Sequence, residues 1–266
     1  MRERTPPLSD EFCVFKPALL HERLEALDER ADDPWNLRLE GLQGDRLQTV
    51  TGVIVELRPG IGREFYDRLG GGDHDGLHPE EPGSRFFDPV LGGGAAFDLG
   101  VYPLSLALHL LGEPQAVSGS WLAAGTGVDR RSTFRLDYPA AVAELSCGFD
   151  RNGANRLLVE GERGGVILEA PFLKARRLSW YADAGRAAAA YERGTGGMVR
   201  LLDRLPQSGR ISENLAFAGN GLQFQAEGAM TAIRAGQSAC AEMPLGDSAA
   251  VLKIIETIRA QPAAGS

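Results

Sequence analysis

Between residues 117 and 181 the chain offers six strand-like segments at short intervals, at 117–123, 132–138, 141–149, 155–160, 166–168 and 178–181. Such segments, bounded by turn residues, pair most simply with their neighbours in sequence. They predict a largely antiparallel meander. Residues 47–57 (LQTVTGVIVEL) have the same β-branched character, and 35–40 alternate apolar and polar positions. The 34 glycines and 15 prolines exceed the usual share and fit a fold of short elements joined by many turns.

Helical periods interrupt this pattern. From residue 94 to 111, Ala95, Leu99, Val101, Leu104, Ala107, Leu108 and Leu111 recur at helical spacing, and Gly112-Glu113-Pro114 stops them. A strand-like run at 12–15 leads through Lys16-Pro17 into a helical stretch, 18–31, with Leu19, Leu20, Leu24 and Leu27 on its apolar side. Pro17 suits an early helical turn, where its missing N–H would have no partner anyway. A weaker helix is predicted at 198–205, and two more at 222–235 and 247–260. Gly236 would end the first of these two, and Asp247 or Ser248 would cap the second. Residues 58–85, with three consecutive glycines and several prolines, read as a long loop. One sheet with helices packed against it is an α+β architecture.

The chain's 266 residues, 43% hydrophobic and 24% charged, are enough to bury a sizeable core. A formal net charge of −8 argues against sequence-independent nucleic-acid binding, which needs Lys and Arg to neutralise phosphates. Cys13, Cys147 and Cys240 lie too far apart for a zinc ribbon or a dithiol motif, which suggests a reducing compartment. The first residues carry charge and proline rather than an apolar core of a leader, and no run of eighteen apolar residues occurs. The expectation is a cytoplasmic protein that does not enter a membrane.

The main chemical signal is the triplet Gly92-Gly93-Gly94 followed by Asp98 and Tyr102. If 94 onward is helical, Asp98 and Tyr102 are four apart and share a face, where a carboxylate and a phenol can act on one ligand. Two accounts stand on the residues alone. Either the glycines let backbone approach that ligand, or they form a turn and Tyr102 is a core residue whose hydroxyl reaches the surface. Lys16, at a strand-to-helix junction, is either a solvated lysine or an ammonium presented to a substrate oxygen. Asp73, His74, Asp75 and His78 have metal-ligand spacing but read as a solvated loop. His109 reads as a satisfied histidine on the apolar helix. Lys174, Arg176 and Arg177 form a small basic patch, either solvated or meeting an anion. No glycine pattern meets the requirements of a dinucleotide loop: a preceding buried strand, G-x-G-x-x-G opening a helix, and an acid about twenty residues on.

Several stretches, in order, resemble the C-terminal half of the glucose-fructose oxidoreductase/inositol dehydrogenase (Gfo/Idh/MocA) family, most nearly its dimeric dihydrodiol dehydrogenase-like members. SRFFDPVLGGGAAFDLGVYPLSLALHLLGEP resembles that subgroup's glycine triplet and D-x-G-x-Y helix. TGVDRRSTFRLDYPAAVAEL is similar to its T-G-V-D strand pair, NRLLVEGERGGVILEAPF to its E-G-x-x-G hairpin, and GNGLQFQAEGAMTAIRAGQSACAEMPL to its penultimate helix and M-P-L turn. The similarity covers about residues 84–266. Upstream, FCVFKPALLHERLEALDERA resembles the family's E-K-P segment, with Phe15 in place of the usual glutamate. The 40–50 stretch is shorter than the helix usually found there, and Phe224-Gln225 stands where Tyr-Glu is more common. The dinucleotide-binding βαβ unit that normally precedes E-K-P is not written in this sequence.

The resemblance implies an open, mostly antiparallel sheet with helices on one face (35–266, substrate binding and dimerisation), preceded by a remnant strand and helix of a Rossmann domain (1–34). It implies a catalytic set of Lys16, Asp98 and Tyr102. Tyr102 would donate or accept the carbinol proton, Asp98 would orient it, and the Lys16 ammonium would lower the phenol's pKa. Gly93, Gly94 and Arg85 would meet substrate, Lys16 and Pro17 the cofactor, and no metal is implied. Hydride would pass between a nicotinamide, NAD or NADP, and a sugar, polyol or diol. Neither cofactor is expected to bind this chain alone, so a separate cofactor-domain chain is a candidate partner. A homodimer through the open sheet face is expected, because the strands from 117 to 149 read as apolar on both faces. The alternative is a non-catalytic homologue, a dimerisation or small-ligand binding module.

Overall fold

The computed structural model describes residues 50–56, 80, 83–150, 154–161, 164–193, 209–215, 217–219, 221–240 and 243–264, the first of these as backbone only. The strands predicted at 12–15 and 35–40, the helices at 18–31 and 198–205, and the 1–34 remnant lie outside them, as does most of the 58–85 loop.

One eight-stranded sheet organises the described chain, in the order β2-β3-β4-β1-β5-β6-β7-β8. The strands are β1 (Val50–Glu56), β2 (Ala116–Ala123), β3 (Asp129–Asp137), β4 (Val142–Gly148), β5 (Arg156–Gly161), β6 (Gly164–Leu168), β7 (Arg177–Tyr181) and β8 (Arg210–Asn214). Short turns join β2 to β4 and β5 to β7, and these neighbours pair antiparallel as the meander predicts. β1 is inserted between the two meanders, parallel to β4 and antiparallel to β5. Its parallel pairing needs a long crossover, and the chain between β1 and β4 includes the first long helix.

That helix, α1 (Val101–Leu111), continues from a π-helical turn, Ala96–Gly100. Ala95, Ala96, Leu99, Leu104, Ala107 and Leu108 are buried with Phe134, Leu136, Ala143 and Leu145 of β3 and β4. The last helix, α4 (Leu245–Arg259), lies beside α1 and over β2 through Val251, Ile254, Ile255 and Ile258. Its approach is close because β2 offers Gly119 there: a Cβ would stand 3.2 Å from the Ile258 Cδ1. Pro244 occupies the position before this helix and no side chain caps it, so the expected Asp247 or Ser248 cap is not formed. Between them, α3 (Leu222–Arg234) ends at Gly236 in left-handed conformation, as its sequence predicts.

The helices do not all share one face. In β5 to β7, Leu157, Val166, Leu168, Leu178 and Trp180 join the main core, while Leu158, Ile167 and Tyr181 point the other way. Against this second face sits α2 (Ala184–Glu192), through Ala187, Ala190 and Tyr191. The mostly antiparallel α+β sheet stands, with this one helix as an amendment. Over β3 and β4 the second face is polar: Arg135 pairs with Asp137 at 3.0 Å and with Glu144 at 2.9 Å. Ser120 and Thr133 are hydrogen bonded alongside. The reading of apolar residues on both faces is therefore corrected there, since the apolar side chains of β3 and β4 gather on the α1 side.

Candidate active site

The candidate site is built on the turn that precedes α1. Phe86 and Phe87 of a short 3-10 turn (Arg85–Phe87) are buried edge-to-face on Phe149, at centroid distances of 5.7 and 5.4 Å. Such contacts add about 0.5–1.5 kcal/mol each beyond area burial and fix where Arg85 emerges. A second turn, Pro89–Leu91, is capped by Asp88, whose carboxylate accepts from the Val90 N–H at 2.8 Å.

The glycine triplet then folds back on this loop. The Gly93 N–H donates to the Asp88 carbonyl and the Gly94 N–H to the Phe86 carbonyl, both at 2.9 Å. A Cβ on Gly93 would lie 2.8 Å from three backbone atoms of Asp88 and Phe86, and one on Gly94 would collide with the Asp129 carboxylate. Both glycines are buried. The close approach they permit within the protein is to its own chain.

Asp98 and Tyr102 do come together, on the π turn and the first turn of α1. Arg85 joins them, its guanidinium 3.4 Å from Asp98 Oδ1 and 4.2 Å from the Phe86 ring centroid. This ion pair is largely exposed, so it contributes at most about 1 kcal/mol and can open for a ligand oxygen at little cost. Tyr102 is 40% exposed. Partial burial pushes its phenol above the ordinary value, the Asp98 charge adds to this, and Arg85 opposes it. The phenol is therefore protonated at neutral pH. A lowered phenol pKa was expected from Lys16; among the described residues, burial and the Asp98 charge outweigh Arg85 and raise it. Lys16 and Pro17 lie outside the described residues, as do Asp73, His74, Asp75 and His78.

Asp129 was not singled out as a functional residue from sequence. Fully buried at the start of β3, it accepts from the Ala96 N–H at 2.7 Å and the Ser132 hydroxyl at 2.8 Å. Arg259, in the last turn of α4, brings its Nε within 3.3 Å of the other carboxylate oxygen. The Arg259 guanidinium also faces the rings of Phe97 and Trp121 at 5.3 and 6.0 Å. Arg130, Arg131 and Ser132 follow it directly, so no local pattern marked this acid as buried. Elsewhere, Arg176 of the basic patch donates to the Gly219 carbonyl and lies over the Phe217 ring. His109 sits half-buried in the last turn of α1. Among the described residues no group of three or more His, Cys, Asp or Glu could hold a metal ion.

Residues 69–167, which include this loop, the π turn, α1 and β2 to β6 almost entirely, match the family model for the GFO/IDH/MocA C-terminal domain. Over these residues the chain is similar to the GFO/IDH/MocA C-terminal domain. A curated relative, the uncharacterized oxidoreductase YgjR of Escherichia coli K12, is 28% identical over 93 residues, 35% of this chain and 28% of the relative. The fold is shared with the aldose-aldose oxidoreductase of Caulobacter crescentus, solved with glycerol, at TM-score 0.56 and 19% identity, over 89% of this chain and 57% of that one. It is shared equally with KijD10, a 3-ketoreductase of Actinomadura kijaniata solved with NADP and TDP-benzene. There the TM-score is 0.55 and the identity 15%, over 91% of this chain and 58% of that one. The chain thus spans little more than half of these solved relatives.

A nicotinamide dinucleotide needs free backbone amides to cradle its pyrophosphate. The amides of Gly92, Gly93 and Gly94 are spent on the carbonyls of Pro89, Asp88 and Phe86. Among the described residues the site triplet does not fit that group.

Proposed function

We propose that this chain supplies the substrate side of an NAD(P)-dependent oxidoreductase acting on the hydroxyl or carbonyl carbon of a sugar, polyol or diol. The observation that carries this reading is the Arg85, Asp98 and Tyr102 group, held at the surface of a GFO/IDH/MocA domain by a buried scaffold. A nicotinamide, NAD or NADP, supplies the hydride when it is bound.

The chain's own part is the oxygen. Arg85 can exchange Asp98 for a substrate oxygen and orient it. Tyr102, protonated at neutral pH, donates its proton to the oxygen as charge develops there, and a general acid of this kind contributes about a hundred- to ten-thousand-fold in rate. The raised phenol favours the reductive direction. The catalytic role of Lys16, and the cofactor contact of Lys16 with Pro17, remain part of this proposal as the family resemblance implies them. A cytoplasmic location belongs to the same reading.

The cofactor is expected to be held by a separate dinucleotide-binding partner. Fluorescence titration of the purified chain with NADH and NADPH should give no saturable binding. Adding a family dinucleotide-binding domain should give nicotinamide-dependent turnover of a member of a sugar, polyol and diol panel. Tight 1:1 binding by this chain would contradict the division of labour. A second copy of the chain is proposed to meet the exposed outer face of β2 to β4, and a monomeric sedimentation mass at micromolar concentration would remove it.

One observation favours the alternative, a non-catalytic ligand-binding homologue: the inward-turned glycine triplet leaves no anion cradle at the site. Saturable binding of a panel compound without turnover in the presence of the partner would select it.

A further inference from the structure

We propose that Asp129 is a positioning residue for Tyr102 and Asp98, setting the register of the site helix on the sheet through the Ala96 amide, with Arg259 and Ser132 holding the carboxylate in place. This rests on the reading of Tyr102 as the proton-handling group.

Apart from Asp129, the contact between the site helix and the sheet is smooth. Ala95, Ala96, Leu99, Gly100, Leu104, Ala107 and Leu108 meet the sheet with small or aliphatic side chains. At Gly100 a Cβ would lie 3.2 Å from Cys147 Sγ and 3.4 Å from the Phe134 ring, so the helix is close-packed there without any polar key. Non-directional apolar packing rewards burial and only weakly fixes position along the axis. Direction comes from hydrogen bonds. Asp129 accepts one from the Ala96 N–H, at the first residue of the π turn, and the Cys147 thiol donates a longer one to the Ala95 carbonyl at 3.4 Å. Asp98 and Tyr102 follow two and six residues after Ala96, so displacement of the anchor displaces both.

Three unusual features converge on this one carboxylate. Gly94 leaves room for it, the helical segment presents its first amide to it, and the Arg259 guanidinium reaches it from α4. A buried acid is expensive, and a buried ion pair adds little net stability over a well-packed apolar substitute. What the arrangement supplies is a fixed geometry. A carboxylate at the start of a helix also complements the helix dipole, which strengthens the anchor.

The test is the titration of the Tyr102 phenol in the full chain, followed by NMR of carbon-labelled tyrosine and assigned by loss of the resonance in Tyr102→Phe. The charges acting on this phenol are Asp98 and Arg85. A change at Asp129 should therefore reach it through position rather than through direct charge. In Asp129→Asn, and to a smaller extent in Ser132→Ala, the midpoint should fall toward the ordinary tyrosine value. Folded variants whose midpoint is unchanged would overturn the proposal. Should Asp129→Asn fail to fold, Ser132→Ala decides alone by the same criterion. A shifted midpoint with Tyr102 dispensable for turnover would keep the anchor and discard the functional reading, so the two failures are separable.

Discussion

Two buried arginine–carboxylate contacts secure two helices on opposite faces of the sheet, and they are built in opposite senses. Under the site helix the carboxylate is the buried member: Asp129 is fully enclosed, Arg259 is a quarter exposed, and the acid holds an amide at a helix start. Under α2 the guanidinium is the buried member. Arg156 is 1% exposed, pairs with Glu169 at 3.2 Å, and donates to the carbonyls of Ala190 and Tyr191 at 3.1 Å each, at a helix end. Each charge matches the end of the helix dipole it meets. The difference lies in what the helix carries. α2 is held by its lock and its alanines, whereas the π turn and α1 carry exposed groups whose chemistry depends on placement.

The largest effect should fall on the α2 lock. Arg156→Ala takes the cation from Glu169, which keeps the Ser179 hydroxyl, and the donor from two helix-end carbonyls; removal of one member of a buried pair costs about 3–5 kcal/mol. Chemical denaturation should read that loss while the Tyr102 phenol titrates unchanged. A coupled shift of the phenol would erase the distinction between the two regions.

Gly94→Ala should come next. Its φ of 123° is strained for any L side chain and its Cβ meets the Asp129 carboxylate, so a loss of about 1–3 kcal/mol is expected, with the phenol moved as well. Stability without a phenol shift would show that the anchor and the site are uncoupled.

A smaller effect concerns pH. Burial raises the Asp129 carboxyl above the ordinary aspartate range, against the hydrogen bonds from Ser132 and Ala96 and the Arg259 charge. Its contribution to stability is therefore full below the unfolded value and is lost as pH rises through the raised folded value. Denaturation of the wild type relative to Asp129→Asn should show the wild type gaining on acidification from neutral pH toward the aspartate range. A pH-independent difference would contradict the burial argument. Least of all should change with Arg135→Ala on the exposed outer face, within about 1 kcal/mol by thermal denaturation of the isolated chain.

Legibility in the sequence follows the same division. The site helix was readable because Leu104, Ala107, Leu108 and Leu111 mark its apolar side, and the Asp98–Tyr102 spacing survived even though the first turn is π rather than α. α2 was not read from the sequence: AGRAAAAYE offers alanines rather than large aliphatic residues, and its hold on the sheet draws on Arg156, which lies far from it along the chain. The insertion of β1 between two meanders was equally hidden, since strand order is a matter of distant partners. Gly93 and Gly94 were read as a close approach to a ligand or as a turn, and the sequence does not name the carbonyls and the Asp129 carboxylate that they meet within the fold. Asp129 and Arg259 lie far apart along the chain and meet only in the fold.

The central claim is that the Tyr102 phenol moves the proton at the substrate oxygen. Its most direct test is the turnover of Tyr102→Phe beside the wild type, with nicotinamide cofactor and the dinucleotide-binding partner present. The account predicts a fall of about a hundred-fold or more in kcat with stability preserved; turnover equal to the wild type would contradict it.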